Sequence, residues 1–438
     1  MILFPRDLSR ARCAAFADMV AGTFNAYETV DGVTSLSAAA TVNGAAGSIS
    51  LLFIAFAVVF GLIQKKAQFH GWKQTLLGLV CTVAAFVIGM NCPLITTKAN
   101  WSYMVFAYIF LAAVLPMWLL MEPRDLMTTF MFAGMIIGAV VGLLVAHPAM
   151  NLAPYTGFHN EKLGDMFPIL FVTIACGAVS GFHSLVSSGT ASKQIKNEKN
   201  MLPVSFGAML MESMLAIIAL IAVASFADGE AAAQGLTTQP QIFAGAIANF
   251  LSVVGLPHSL VFTLINLAVS AFALTSLDSV ARVGRLSFQE FFLDSDTDEE
   301  NMSPFLKVVT NKYFATVITL VLAYMLTKVG YAEIWPLFGS ANQLLSVLAL
   351  VACAVFLKKT KRQGCMLWIP MVFMMAVTFT ALGMTITKLS KALVTTGLDL
   401  GNTLQLVFAV LLLILGVLVA IQGVKKLLEK TDDKKATA

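Results

Sequence analysis

Uncharged stretches of twenty or more residues recur from about residue 44 to residue 424, and no other feature constrains the fold as strongly. Each is long enough to cross a bilayer core of roughly 30 Å as a helix. Unpaired backbone amides in hydrocarbon cost several kcal/mol each, so helices are the expected form. No ten-residue alternating pattern of the kind that builds a membrane barrel is present. Composition agrees: 58% of the 438 residues are hydrophobic and only 12% charged, too few to cover a soluble surface. The fold class expected is all-α, a polytopic membrane protein with eleven transmembrane helices. They are placed at about 44–63, 74–95, 101–121, 126–146, 167–190, 203–226, 258–281, 312–329, 334–357, 366–387 and 402–424. A net charge of +4, scattered along the chain, argues against a nucleic-acid partner.

Positive charge sets the orientation. With the C-terminal tail cytoplasmic and eleven crossings, 20 of the 28 basic residues lie on the cytoplasmic side. A twelfth uncharged stretch, 238–256, carries Gln239, Gln241 and Asn249 between Pro240 and Pro257. If it crossed, the basic loops upstream and downstream would face opposite sides, so it is expected to be re-entrant or interfacial. Residues 44–424 then form the transmembrane domain and 425–438 a cytoplasmic tail. Residues 1–43 are atypical. Met1 to Arg12 is too short and too charged to span and lacks the order of a signal peptide. Cys13 to Phe24 reads as the last turns of a helix whose beginning is absent, so the chain is expected to start partway through a larger design. The acidic run Asp294–Glu300 is expected to be a solvated surface of the largest cytoplasmic loop. Six scattered cysteines without a CxxC pair predict no structural disulfide. Five scattered histidines without HExxH give zinc no support, and neither a metal nor a cofactor is expected.

Inside a membrane the informative residues are the polar ones, which usually face a cavity or a partner. Glu212, in mid-span, is either an acid that loads and releases a coupling proton or a structural acid bonded to a neighbouring helix. Thr275, Asp278 and Arg282 stand at i, i+3 and i+7 and share a helix face. Asp278 either neutralises Arg282 one turn away or forms an ion site or gate with Thr275 and Ser276. The stretch 167–190 holds Gly177, Gly181, Ser180, His183, Ser184 and Ser187. That density of Gly and Ser permits a helix break, and freed backbone groups at such breaks coordinate ligands. Ser180, Gly181, His183 and Ser184 are the substrate-binding candidates there. Asn342 and Gln343, inside the span that opens at Trp335 and Pro336, either bind substrate or join helices.

Three of these stretches together resemble the carbon starvation protein A family of bacterial inner-membrane transporters. Phe167 to Thr190 is similar to the family signature nearly throughout; Leu274 to Arg285 and Trp335 to Leu345 match further segments. Pro123–Arg124–Asp125 and Ala45 to Phe53 also fit. Family members usually begin with a further set of membrane helices that this chain does not show, and Val204–Ser205–Phe206–Gly207 replaces a stretch that is often Gly-Tyr-Gly. The resemblance implies a multi-pass protein of the bacterial plasma membrane, built from inverted repeats with broken helices. It implies uptake of peptides, or of pyruvate with a proton, during nutrient limitation. The leading expectation is a secondary transporter of peptides or a small carboxylate such as pyruvate, driven by a proton or sodium gradient in carbon starvation. Its partners would be that substrate, the ion and the lipid bilayer. In this expectation Ser180, Gly181, His183, Ser184 and Asn342 contact substrate, Glu212 carries the proton, and Thr275 with Asp278 forms the gate or ion site. The alternatives are a membrane starvation sensor without transport, an inactive fragment, and an intramembrane Ser/His hydrolase. No GxSxG motif supports the last, and no Walker motif supports ATP use. The chain is not expected to be an enzyme.

Overall fold

The computed structural model describes all residues except 1–2, 31–32, 38, 68–70, 161–163, 228, 237, 294–302, 328–330, 363–364, 397–399 and 429–438. Side chains are further not described at 3–12, 28–30, 33, 176, 331–338, 365, 396, 400, 401, 404 and 428. The acidic run and the end of the C-terminal tail therefore lie outside the described residues. In chain order the elements begin with α1 (Leu3–Thr23), the hairpin β1 (Tyr27–Val30) and β2 (Val33–Leu36), and α2 (Ala40–Ala67). Next come α3 (Trp72–Asn91), α4 (Lys98–Val114), α5 (Met121–Ala146) and the short pair β3 (His159–Asn160) and β4 (Gly164–Asp165). Then follow α6 (Phe171–Ala178), α7 (Gly181–Val186), α8 (Ser192–Gln194), α9 (Met201–Ala224) and α10 (Glu230–Ala233). The rest are α11 (Gln239–Ser252), α12 (His258–Phe292), α13 (Pro304–Val309), α14 (Lys312–Thr327), α15 (Tyr331–Lys359), α16 (Cys365–Thr396) and α17 (Leu400–Leu428). This is an all-α polytopic membrane protein.

Among the described residues, eight helices are long and apolar enough to cross a membrane, not eleven. They correspond to the expected spans at 44–63, 74–95, 126–146, 203–226, 258–281, 334–357, 366–387 and 402–424. The other three fall short for separate reasons. Helix α4 ends at Val114 because Leu115 is extended (φ −70°, ψ 152°) ahead of Pro116, which disfavours a helical residue before it. Its 17 residues are about 26 Å long. Helix α14 has 16 residues, and the expected end of that span falls at residues that are not described. The stretch 167–190 is not one helix: two π-type turns, Met166–Leu170 and Ser187–Ala191, flank α6 and α7, and the chain leaves helical geometry between them.

The chain packs as two units, one of residues 12–155 and 206–327, the other of residues 1–11, 156–205 and 328–438. In the larger unit α2 and α3 approach closely because glycines face them. A Cβ on Gly89 would lie 2.3 Å from Ile49 Cγ1, and one on Gly44 would lie 2.9 Å from the carbonyl oxygen of Leu94. Helix α11 fills the space between α5 and α12 with Phe243, Ala244, Ile247, Phe250 and Leu251. Its 14 residues reach about 21 Å, too short for one helix to cross roughly 30 Å of hydrocarbon. Gln241, one of its polar residues, is a cap: its Oε1 accepts from the Thr238 N–H at 3.1 Å. In the smaller unit α15 packs against α16, α17, α6 and α7.

Candidate functional site

The smaller unit contains a broken helix. Helix α6 closes where the Val179 N–H donates to the Ala175 carbonyl at 2.7 Å. Val179 (φ −140°, ψ 86°) and Ser180 (φ −105°, ψ 129°) then run extended before α7 starts at Gly181. Ser180 holds the N-cap position of α7 but does not cap it with its own side chain. Asn342 of α15, fully buried, does so instead. Its Oδ1 accepts from the Phe182 N–H at 2.9 Å and from the Ser180 hydroxyl at 3.2 Å. The next residue, Gln343, donates from Nε2 to the Val172 carbonyl of α6 at 3.3 Å. Two consecutive amides of one helix thus hold both halves of another. Gly181 makes the close approach possible: a Cβ there would lie 2.4 Å from Leu345 Cβ and 2.5 Å from the Asn342 carbonyl oxygen.

Of the five residues expected to meet substrate, the break brings together Ser180, Gly181 and Asn342. Ser184 lies in the first turn of α7, but its hydroxyl donates back to the Gly181 carbonyl at 2.5 Å. Ser187 and Ser188 likewise donate to the Ser184 carbonyl, both at 2.9 Å, so these hydroxyls serve their own helix. His183 is exposed, whereas Gly181 and Phe182 just before it are buried.

The second constellation lies in the larger unit. Asp278 of α12 is fully buried and its ion pair is with Arg124 of α5, itself 2% exposed. Arg124 Nη1 donates to Asp278 Oδ2 and to the Tyr108 hydroxyl. Arg124 Nη2 donates to the Ala271 carbonyl at 3.0 Å and to Thr275 Oγ1 at 3.2 Å. The Tyr108 hydroxyl, from α4, donates to Asp278 Oδ2 at 2.5 Å. Thr275 and Asp278 do share a face, as their spacing predicts.

The expected pairing of Asp278 with Arg282 is replaced by the long-range pair with Arg124. Arg282 Nη2 donates instead to the carbonyls of Ala112 at 2.6 Å and Leu115 at 2.7 Å, and Arg285 Nη1 to that of Ala113 at 2.6 Å. The reason is the end of α4, whose last carbonyls have no partner within the helix and draw cations. Arg282→Gln is expected to destabilise the chain by about 1.5–3 kcal/mol, the usual loss for hydrogen bonds to a charged group. Thermal unfolding in detergent measures this; a change within about 0.5 kcal/mol would place Arg282 with ordinary surface residues. Glu212 does not join the cluster. It is exposed on α9, which buries only Ile218, Ala222 and Ala224 among its residues.

A sequence model of the carbon starvation protein CstA family matches residues 11–237 and 227–381. The chain belongs to the CstA family. It is 32% identical over 337 residues to the peptide transporter CstA of Escherichia coli (strain K12), covering 61% of this chain and 46% of that protein. It is 29% identical over 357 residues to the peptide transporter CstA of Bacillus subtilis (strain 168), covering 70% of this chain and 58% of that protein. It is also 29% identical over 404 residues to the pyruvate/proton symporter BtsT of Escherichia coli (strain K12), covering 71% of this chain and 55% of that protein. The chain spans about half the length of these curated relatives. No solved structure matches it.

Within this CstA-family chain, sequence reasoning missed Tyr108 and the role of Arg124. The string Pro123–Arg124–Asp125, two opposite charges at the mouth of a span, was a signal for Arg124. Nothing local distinguishes Tyr108 from Tyr103.

Proposed function

We propose that this CstA-family chain belongs to an ion-coupled secondary transporter that takes up peptides or a small carboxylate such as pyruvate during carbon starvation. The observation that carries this reading is the discontinuous helix at Val179–Ser180, whose halves are tied to α15 by Asn342 and Gln343. A break inside an apolar segment frees helix ends with opposite partial charges, the arrangement with which transporters hold substrates and ions. The E. coli and B. subtilis relatives, named as peptide transporters and a pyruvate/proton symporter, support it.

In this scheme Ser180, Gly181, His183, Ser184 and Asn342 form the substrate contacts. Thr275 and Asp278 form the ion site or gate, and Glu212, exposed on α9, is a further proton carrier. The protein sits in the bacterial plasma membrane with its C-terminus in the cytoplasm, the side that holds most of its basic residues. The test is uptake into proteoliposomes of labelled pyruvate and a labelled dipeptide under an imposed proton or sodium gradient. Accumulation of one substrate that follows the gradient and falls at least about tenfold, roughly 1.4 kcal/mol, in Asn342→Leu is expected. No gradient-dependent accumulation of either substrate would remove the transport reading.

A further inference from the structure

Helices α15 and α17 meet at their C-terminal ends. A Cβ on Gly423 of α17 would stand 2.8 Å from Val351 Cγ1 of α15. Further along, Lys358 Nζ donates to the Leu427 carbonyl at 2.8 Å, and Leu427 packs with Ala354 of α15 and Met371 of α16. These contacts gather two basic runs at one end of the three helices. One is Lys358, Lys359, Lys361 and Arg362, at and just after the last turn of α15; the other is Lys425 and Lys426, in the last turn of α17.

Six positive charges exceed what the two helix ends need. Each C-terminus carries roughly half a negative charge, and Lys358 already bonds one of the open carbonyls. Helices α16 and α17 contain no acid, and Glu333, the one acid of α15, stands in its first turn at the opposite end. Helices α6 and α7, which also pack on α15, contain none. Residues 429–438 hold three acids (Glu429, Asp432, Asp433) and three lysines (Lys430, Lys434, Lys435), so their side chains add no net charge.

Other cations at helix ends already have partners. Lys65 lies over the Trp118 ring at 4.1 Å and Lys312 over the Tyr313 ring at 4.9 Å, while Arg282 and Arg285 bond carbonyls of α4. Lys359, Arg362 and Lys425 have no side-chain hydrogen bond, ion pair or ring contact among the described residues. The surface beside them is apolar. Phe356 of α15, Met366 and Ile369 of α16, and Ile421 and Val424 of α17 are all exposed, and Trp368, a residue type that favours the membrane–water boundary, stands near the start of α16.

We propose that the joined ends of α15 and α17 bind the headgroup of an anionic phospholipid. Lys359, Arg362 and Lys425 hold its phosphate, and its acyl chains lie along the exposed apolar residues that precede these cations. Arg362 supplies a planar fork that matches two phosphate oxygens, and the lysines act as point charges. Clustered cations directly beyond membrane helices recognise anionic lipids in this way. A soluble anion would use the charges but leave the apolar surface uncovered, so the bilayer is the source of the ligand. The site is separate from the substrate contacts proposed above.

Native mass spectrometry of the purified, delipidated full chain in detergent tests this. Dioleoyl phosphatidylglycerol is expected to bind, and dioleoyl phosphatidylcholine, with the same tails and no net charge, to bind at least about tenfold more weakly. Combining Lys359→Gln, Arg362→Gln and Lys425→Gln is expected to weaken phosphatidylglycerol binding at least about tenfold, since each cation near a charged headgroup contributes several-fold. The charge-conserving set Lys359→Arg, Arg362→Lys and Lys425→Arg is expected to keep most of the binding, which guards against a folding defect. Lys388→Gln with Lys391→Gln, at the opposite end of α16, is expected to leave it unchanged. Equal binding by the wild type and the triple glutamine variant would overturn the proposal. So would equal weakening in the Lys388 and Lys391 variant, which would mean that net charge alone attracts the lipid. Phosphatidylcholine bound as tightly as phosphatidylglycerol, or a wild type that binds neither, would overturn it too. Inorganic phosphate that displaces the lipid at equal concentration would assign the cations to a soluble anion and overturn the lipid site.

Discussion

Replacing Arg124 by methionine is expected to lower the stability of the chain by about 3–5 kcal/mol, the loss typical when one partner of a buried ion pair is removed. Methionine fills most of the space of the arginine stem, so little of the loss comes from a cavity. It arises because Asp278, fully buried, keeps its charge and loses its countercharge, and the single Tyr108 hydroxyl cannot replace the guanidinium. The carbonyl of Ala271 loses a donor at the same time. The sign of the pH dependence follows. Protonating Asp278 removes the uncompensated charge, so the deficit shrinks as pH falls and grows as pH rises. Removing both charges in an Arg124→Met, Asp278→Leu double variant is expected to recover most of the stability, because Asp125 keeps partial contact with solvent. Chemical unfolding of the detergent-solubilised variants at two pH values measures all three quantities. A single-variant loss below about 1 kcal/mol would mean that the pair is hydrated like a surface ion pair.

Gly181→Ala is expected to separate α7 from α15. A methyl group there meets Leu345 Cβ at 2.4 Å, the Asn342 carbonyl oxygen at 2.5 Å and the Ser346 nitrogen at 2.7 Å. None of these is the movable end of a long side chain; all belong to the stiff backbone or first carbon of α15. Relief therefore requires the two helices to move apart, at about 1–3 kcal/mol for overpacking of this kind. The Asn342 cap on the Phe182 N–H then opens. Hydrogen exchange reads this directly, as a loss of protection at Phe182. Gly189→Ala is the control, since a Cβ at that position meets nothing within 4 Å. Equal protection of Phe182 in the wild type and in Gly181→Ala would show that the break does not depend on close packing.

What could be read from the sequence was local in origin. Long apolar runs located eight spans, and the Gly and Ser content of 167–190 located the break, because both properties belong to contiguous residues. The spacing of Thr275 and Asp278 placed them on one face for the same reason. The ion pair was harder. Arg282 lies one turn from Asp278 and invites a pair, whereas Arg124 is 154 residues away and nothing periodic connects them. The open carbonyls at the end of α4 decide the competition, and they exist only because the helix stops before Pro116. Asn342 and Gln343 could be seen as expensive amides, but not as partners of both halves of a broken helix. Gln241 looked like a polar flaw in a weak span and is a cap.

The bonds between α4 and α12 also bear on how the chain is threaded. Tyr108 meets Asp278 and Ala112 meets Arg282, two contacts one turn apart with the same separation of 170 residues. A constant separation means that the two helices ascend side by side in the same direction. Two helices that share a direction through a bilayer must have an odd number of crossings between them. Whichever segments between Val114 and His258 cross, their number must therefore be odd if α4 and α12 both cross.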